Sequence, residues 1–505
     1  MGKVYIVGAG PGDPKLLTIK AKELLEDADV VVYDHLINRS ILDLCKERAE
    51  LIYVGKEAGK HTLSQEKINE LLLKMAKEGK KVIRLKGGDP YIFGRGGEEA
   101  EVLADEGVEF EVVPGISAAV AVSSYAGIPL THRKFSSSVI FLTGHEDPTK
   151  KSSFIDWDLL AKFKGTLVFF MGVKNLEQIC HTLIEKGMDE KRPASLIMWG
   201  TTCRHRSISA SLKDMPDLAK AKGFSPPSLL IIGEVVRLKD KLNWFERLPL
   251  LGKGIVITRA RKQASVLKSE LESYGACCFE FPTIKIVPVK DYSRLHKAID
   301  NISKYDWIIF TSANGVEFFF SELEKKGKDA RHLNNIKVAS IGPATSDKLR
   351  SKGIIPDFMP DVYVAEEVAY GLTKFDLKGK KILIPRAKKA REVLIELLEK
   401  NGAKVEVLPV YETVLEDGKK DEFIDLLEAG LIHMITFTSS STVKNFFKII
   451  DPKILKNKDI AFASIGPITA STLKEFGFDS IVAKKYTIKG LVDVIKEYFL
   501  RCHCQ

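Results

Sequence analysis

The sequence predicts an α/β protein. Three observations carry this. Strand-like apolar runs alternate with helix-like ones from end to end. Glycine-rich turns follow several of those strands directly. The second half also repeats itself in three blocks, in the same order.

The strand-like runs are VYIVG (4–8), DVVVYD (29–34), KVIRL (81–85), VEFEVV (108–113), SVIFLT (138–143) and GTLVFFMG (165–172). Between the first two, LLTIKAKELLEDA (16–28) places Leu17, Ala21, Leu24 and Ala28 on one helical face. An inner boundary is expected at VPGISA (113–118). A clearer one follows SLLIIGEVVRL (228–238), where the alternation stops in KDKLNWFERLPLLGKG. Beyond it, VITRARKQASVLKSELESYGACCFEFP (256–282) matches LIPRAKKAREVLIELLEKNGAKVEVLP (383–409). Arg259 pairs with Arg386, Gly275 with Gly402 and Pro282 with Pro409, each 127 residues apart. IIFTSANGVEFF (308–319) matches ITFTSSSTVKNFF (435–447), with Thr311 and Thr438 again 127 apart. VASIGPATSDKLRSKG (338–353) matches FASIGPITASTLKEFG (462–477), with Gly342 and Gly466 124 apart. Duplication of one unit gives two similar lobes, and a cleft between lobes is a usual ligand site.

At 505 residues the chain is long enough for about three to four domains. No apolar run approaches the roughly 18 residues of a membrane span, and the N-terminus does not read as a signal peptide, so a cytoplasmic location is expected. The net charge of +10 favours an anionic partner. The basic residues are spread rather than clustered, which argues against nucleic acid and for a small polyanion. Seven cysteines show no disulfide-framework spacing, as in a reducing compartment. The tail Cys502-His503-Cys504 offers three clustered ligands, fewer than a closed zinc site uses. No metal is expected.

The glycine turns bear on chemistry. In VGAGPGD (7–13), Gly8 and Gly10 fit a dinucleotide fingerprint, but position 13 is aspartate and Pro11 removes a backbone N–H. A carboxylate there opposes a phosphate at a helix N-terminus. Asp34, ending the second strand, mimics the ribose-binding acid of a dinucleotide fold, so that reading is weakened rather than excluded. RLKGGDPYIFGRGGEE (84–99) holds five glycines (87, 88, 94, 96, 97), which calls for unusual backbone freedom or close approach of a ligand. Its position after a strand is where open α/β sheets bind ligands. Arg95 and Glu98 read equally as a solvated pair.

VYIVGAGPGDPKLLTIKA, DVVVYDHL, YVGKEAGKHTLSQEKIN, RLKGGDPYIFGRGGEE, PGISAAVAVSSYAGIPLTHR, FLTGH, FFMG and SLLIIGEVV together resemble the uroporphyrinogen-III C-methyltransferases of the tetrapyrrole methylase family, over about 1–240. The resemblance implies two α/β subdomains with a cleft, S-adenosyl-L-methionine as methyl donor and a homodimer. It implies donor contacts at Pro11, Gly87, Gly88, Asp89, Ile92, Ser117, Ala118, Met171 and Gly200. It implies a proton acceptor at Asp34, a proton donor at Lys56, and substrate contacts at Arg95, Glu98 and Arg133, where arginines suit carboxylates. Capping is the plain alternative for Asp34, and pairing with it for Lys56. The implied reaction is methylation of uroporphyrinogen III at carbons 2 and 7 to give precorrin-2, for sirohaem or cobalamin synthesis. Pro227-Ser228 and the stretch TTCRHRSISASL (201–212) depart from the family pattern. Relatives that methylate a later corrinoid intermediate are the alternative.

In the second half, FTSANGV and FTSSSTV place Thr311, Ser312, Thr438, Ser439 and Ser440 at the starts of expected helices. There they cap, and together with free helix N–H groups they suit anionic ligand groups. The two SIGP turns (340–343 and 464–467) offer the same. IVITRARKQASVLKSELESYGA, DWIIFTSANGV, SIGPATSDKLRSKG, ILIPRAKKAREVL, PVYET, FTSSSTV and SIGPITASTLKEFG resemble uroporphyrinogen-III synthase over about 253–501. That family encloses linear hydroxymethylbilane between two lobes, closes the ring and inverts its last pyrrole. The resemblance implies substrate contacts at Thr311, Ser312, Ser439, Ser440 and Thr469, and places Tyr411 where it assists departure of the hydroxyl. The expected organisation is a methyltransferase at 1–245 (subdomains about 1–114 and 115–245), a linker at 246–252 and a synthase at 253–505. Lobe one takes about 253–284 plus 412–505, and lobe two about 289–408.

Overall fold

The structure is a computed structural model that describes residues 2–55, 63–145, 154–259, 261–361, 365–389 and 392–502. Four five-stranded sheets organise it.

The first sheet holds β1 (Val4–Gly8), β2 (Val30–Tyr33), β3 (Glu50–Tyr53), β4 (Val82–Lys86) and β5 (Phe110–Val113), in the order β3-β2-β4-β1-β5 and parallel throughout. Valine, isoleucine and leucine dominate β1, β2 and β4 because both faces are covered. Helix Ile19–Glu26, capped by the Thr18 hydroxyl, packs Ala21, Leu24 and Leu25 on one face. Helices Gln65–Lys77 and Gly96–Asp105 cover the other with Leu72, Met75 and Leu103.

The second sheet holds β6 (Val139–Thr143), β7 (Thr166–Phe170), β8 (Pro193–Met198), β9 (Arg206–Ser211) and β10 (Ser228–Ile232), in the order β6-β7-β10-β8-β9. The β6–β7 pairing is parallel and the other three are antiparallel.

The remaining strands are β11 (Gly254–Ile257), β12 (Cys277–Glu280), β13 (Ile284–Pro288), β14 (Trp307–Phe310), β15 (Lys337–Ser340), β16 (Lys381–Ala387), β17 (Lys404–Leu415), β18 (Met434–Phe437), β19 (Ala461–Ser464) and β20 (Ile481–Val482). They form sheets β12-β11-β18-β19-β20 and β13-β17-β16-β14-β15. The duplicated units are exchanged between these sheets. β11 and β12 of the first copy pair with β18 and β19 of the second, while β16 and β17 of the second pair with β14 and β15 of the first. The chain crosses at an antiparallel ladder between β13 and β17. In it Ile286 faces Thr413, its own equivalent 127 residues on, and Ile284 faces Leu415 while Pro288 faces Tyr411. The ladder is therefore symmetric about Ile286 and Thr413, a local two-fold relating the copies.

The halves meet through residues 243–250. Trp244 Nε1 donates to the Ser124 carbonyl (3.2 Å), Phe245 is buried against the rings of Tyr125 and His205, and Leu250 enters the core beneath β11. Glu246 accepts from Ser207 and from Asn243 (2.5 Å), and lies 3.0 Å from His205 Nε2 and 3.6 Å from Lys239. Burial alone would raise its carboxyl. The bonds from His205 and Ser207, the nearby Lys239 and the bond from Asn243 outweigh this and hold it at about 2.

Cysteine usage needs a correction. Cys203 of the first half and Cys277 of the second form a disulfide, with Cα atoms 5.2 Å apart. The partners lie 74 residues apart in different halves, so no spacing motif marks them; only the docking of β12 beside the 199–205 loop brings them together. His503 and Cys504 of the tail lie outside the described residues.

Candidate functional site

β1 and β4 are neighbours, yet the helices that follow them cover opposite faces of the sheet. Such a switch point opens a crevice at the carboxyl ends of the strands. Here the two outgoing loops are stitched together: Gly88 N donates to the Gly10 carbonyl (2.8 Å) and Gly10 N to the Gly88 carbonyl (3.2 Å). Gly10 (φ 74°) and Gly88 (φ 70°) take the left-handed backbone this requires. Gly8 and Gly115 crowd until no side chain fits: a Cβ on Gly115 would lie 2.2 Å from the Gly88 oxygen, and one on Gly8 would lie 2.5 Å from Gly115 Cα. The edge is thus a surface of bare backbone.

Around it stand most of the expected donor-site residues. Asp89 spends its carboxylate on the turn, accepting from Tyr91 N (2.9 Å), Ile92 N (3.2 Å) and Gly115 N (3.1 Å). It thereby fixes Gly87, Gly88 and Ile92 against the loop leading to Ser117 and Ala118. Ser117 is the N-cap residue of helix Ala118–Tyr125, but its hydroxyl makes no capping bond, and among the described residues its buried Oγ has no partner. Pro11 lies on the facing loop. That loop is held by Asp13, whose N–H donates to Thr201 Oγ1 (3.2 Å) and whose carboxylate accepts from Tyr125 Oη (2.8 Å). Gly200 lies flat on the same helix, where a Cβ would strike Val122 at 2.5 Å.

Backbone strain collects here. Among the described residues seven non-glycine residues have positive φ. Five of them, Phe93, Arg95, Met171, Trp199 and Thr201, lie on the turns at 89–95, 171 and 199–201, while the other two are asparagines, which tolerate it. Strain of this kind persists where surrounding structure over-determines it, and gathers at functional sites. Phe93 meets Phe170 at 5.0 Å between ring centroids, so the 89–95 turn reaches the second sheet. Arg95 and Glu98 form a two-armed exposed pair (2.9 and 2.7 Å), and Arg133 is exposed. Lys56 lies outside the described residues.

Asp34 sits at the end of β2, partly exposed. Oδ1 accepts from Leu36 N (3.1 Å), the local turn expected of it, and Oδ2 faces Arg84 Nη2 at 3.6 Å.

In the second half, the Ser312 hydroxyl caps helix Ala313–Lys325 through Gly315 N (3.0 Å) and meets Tyr411 Oη at 3.0 Å. Tyr411 is buried and stacks on Phe318 (5.7 Å). Thr311, Ser312 and Tyr411 thus gather at one strand edge. At the equivalent edge of the other sheet, Ser439 caps helix Ser440–Ile449 in a reciprocal box with Thr442, Ser440 Oγ donates to the Ile468 carbonyl (3.3 Å), and Thr469 is buried beside it.

A family model described as Tetrapyrrole (Corrin/Porphyrin) Methylases matches residues 3–216, and one described as Uroporphyrinogen-III synthase HemD matches 265–493. Over 496 residues the chain is 39% identical to the porphyrin biosynthesis protein HemD of Ruminiclostridium josui, covering 98% of each. The chain belongs to the tetrapyrrole methylases and the HemD uroporphyrinogen-III synthases. The methylase half is 54% identical over 242 residues to the S-adenosyl-L-methionine-dependent uroporphyrinogen III methyltransferase of Methanosarcina barkeri, covering 48% of this chain and 95% of that protein. It is 51% identical over 247 residues to the uroporphyrinogen-III C-methyltransferase of Bacillus subtilis, covering 49% and 95%.

Sequence reading missed several residues of the methylase half: Arg84, Lys86 and Glu99, all buried, and Tyr125 and Thr201, which brace the first loop. One signal was available. Arg84 and Lys86 share a face of an otherwise apolar strand, and buried cations there require a buried carboxylate. In the synthase half the contact between Ser312 and Tyr411 spans 99 residues and has no local signature.

Proposed function

We propose that this chain is a bifunctional enzyme: its synthase half converts hydroxymethylbilane to uroporphyrinogen III, and its methylase half methylates that product at carbons 2 and 7 to precorrin-2. One observation carries the reading. A single chain joins both family domains, and the product of one is the substrate named for relatives of the other.

The cleft residues suit S-adenosyl-L-methionine. The bare backbone at Gly8, Gly88 and Gly115 admits close approach, and the Ser117 hydroxyl, which has no partner among the described residues, suits a polar group of the ligand. Pro11, Gly87, Gly88, Asp89 (through its turn), Ile92, Ser117, Ala118, Met171 and Gly200 would hold it. When bound, the donor supplies an electrophilic methyl group on a cationic sulfur. The protein's part is to orient the pyrrole carbon against it and to take up the proton lost. We assign that acceptance to Asp34. Lys56 as proton donor rests on the resemblance alone. Arg95 and Arg133 meet the substrate's carboxylates, the Arg95–Glu98 pair opening to do so, and Glu98 is a further substrate contact. In the synthase half, Thr311, Ser312, Ser439, Ser440 and Thr469 hold carboxylate arms, and Tyr411 assists loss of the hydroxyl. The methylase half pairs as a homodimer, which sedimentation of the full chain checks.

Incubation with uroporphyrinogen III and S-adenosyl-L-methionine, read by mass spectrometry, tests the methylase reading. Gain of two methyl groups supports it. No gain, with methylation of a later corrinoid instead, overturns it.

A further inference from the structure

Beneath the Gly87-Gly88 turn lies a buried charge cluster that the proposed donor contacts do not include. Arg84 and Lys86 lie on one face of β4, and Glu99 reaches them from helix Gly96–Asp105; the three are 3%, 4% and 1% exposed. Glu99 Oε1 accepts from Arg84 Nε (3.0 Å), Lys86 Nζ (2.8 Å) and Gln65 Nε2 (3.1 Å), while among the described residues its Oε2 has no partner. Arg84 Nη1 donates to the carbonyls of Leu85 (3.2 Å) and Val32 (3.4 Å). Nη2, the remaining arm, points to Asp34.

Stability alone gives little reason for this cluster. Burying an ion pair costs desolvation, and apolar residues of like volume serve a core as well or better. β4 is otherwise such a core strand. One carboxylate also cannot balance two cations. Burial pushes the Lys86 ammonium below its usual value, and Arg84 adds to this against the pull of Glu99. Asp34 is the second anion that makes the set neutral, and it is the member at the cleft rim.

We propose that Arg84 is a positioning residue for methyl transfer: clamped by Glu99 and two backbone carbonyls, its guanidinium fixes the orientation of the Asp34 carboxylate. The proposal rests on the reading of Asp34 as proton acceptor. Lys86 and Glu99 complete the set, and Arg95, just ahead of the helix that carries Glu99, interacts with Glu99; His35 follows Asp34 in the chain and is exposed.

The test is kcat and KM for methylation of uroporphyrinogen III by the full chain carrying Arg84→Met, Arg84→Lys, Glu99→Gln or Asp34→Asn. Affinity for S-adenosylhomocysteine and synthase turnover are measured alongside, as checks on folding. Arg84→Met should cut kcat at least tenfold, with KM and donor affinity within twofold. Arg84→Lys should restore part of the rate. Glu99→Gln, which keeps the shape of the clamp, should lower kcat the same way by less, and decides the matter if Arg84→Met fails to fold. Equal losses of kcat, donor affinity and synthase turnover would mean Arg84 is merely structural. If Asp34→Asn keeps its rate, the acceptor reading falls by itself. If Asp34→Asn is inactive but neither Arg84→Met nor Glu99→Gln lowers kcat, this proposal falls alone.

Discussion

The two sheets of the synthase half come from the same duplicated unit yet end differently. Where β14 and β15 finish, Ser312 shares its cap with the Tyr411 hydroxyl, and among the described residues the buried Ser340 Oγ has no partner. Where β18 and β19 finish, Ser439 is closed in a box with Thr442, and Ser464, the equivalent of Ser340, accepts from Ser480 (2.8 Å). In the central ladder, the position equivalent to Tyr411 is Ile284. The sheets differ in anchorage too. Cys277 of the sheet that holds β18 and β19 is bonded to the methylase half, and Leu250 of the joining segment packs in that sheet's core. The difference separates two tasks. Under the proposed function, the repeated hydroxyls and helix starts would seat carboxylate arms, and the unrepeated phenol would act at one of them.

Four tests break or sharpen this contrast. The largest effect is expected on the anchored side. In oxidised protein, Cys203→Ser removes a cross-link over 74 residues and should cost about 2–4 kcal/mol, read by urea unfolding with and without reductant. An equal midpoint for the unsubstituted chain with and without reductant would show the bond is not formed in solution. Next, Tyr411→Phe should slow ring closure about 100-fold and leave methyl transfer untouched, whereas Ile284→Val should leave both rates alone. Equal effects would mean the symmetry is unbroken. Third, Glu246 tests the joint through pH. Its folded value of about 2 lies below the usual glutamate value, so its contribution is complete above about pH 4.5 and is lost as pH falls toward 2. Glu246→Gln should flatten acid unfolding in that window, by roughly 2 kcal/mol; an unchanged acid midpoint would remove Glu246 from the joint. Smallest are the caps. Ser312→Ala and Ser439→Ala should each cost about 1 kcal/mol of stability, with only Ser312→Ala also lowering the closure rate.

Much of the fold is legible in the sequence because it is local. β1 spans the VYIVG run, and helix Ile19–Glu26 buries the stripe that contains Ala21 and Leu24. The 127-residue offset also survives in the coordinates, where β11, β12 and β18 sit that distance from β16, β17 and β14. What the repeat does not disclose is the exchange of strands between sheets, since pairing is decided across the chain and not within a copy. The cleft shows the same division. Glycines at 8, 10 and 88 announce unusual backbone, but Gly115 as their counterpart, Tyr125 as the brace of Asp13 and Cys203 as the partner of Cys277 depend on contacts between subdomains or halves. Arg84 hid in KVIRL because a charged residue late in a short strand reads as an edge.

The central claim is that one chain performs closure and methylation in succession. The most direct measurement is the product formed from hydroxymethylbilane by the full chain, with and without S-adenosyl-L-methionine, resolved by isomer and by mass. The account predicts uroporphyrinogen III alone without the donor, and the same type III framework carrying two added methyl groups with it. A type I product, or a type III product that gains no methyl group when the donor is present, would contradict it.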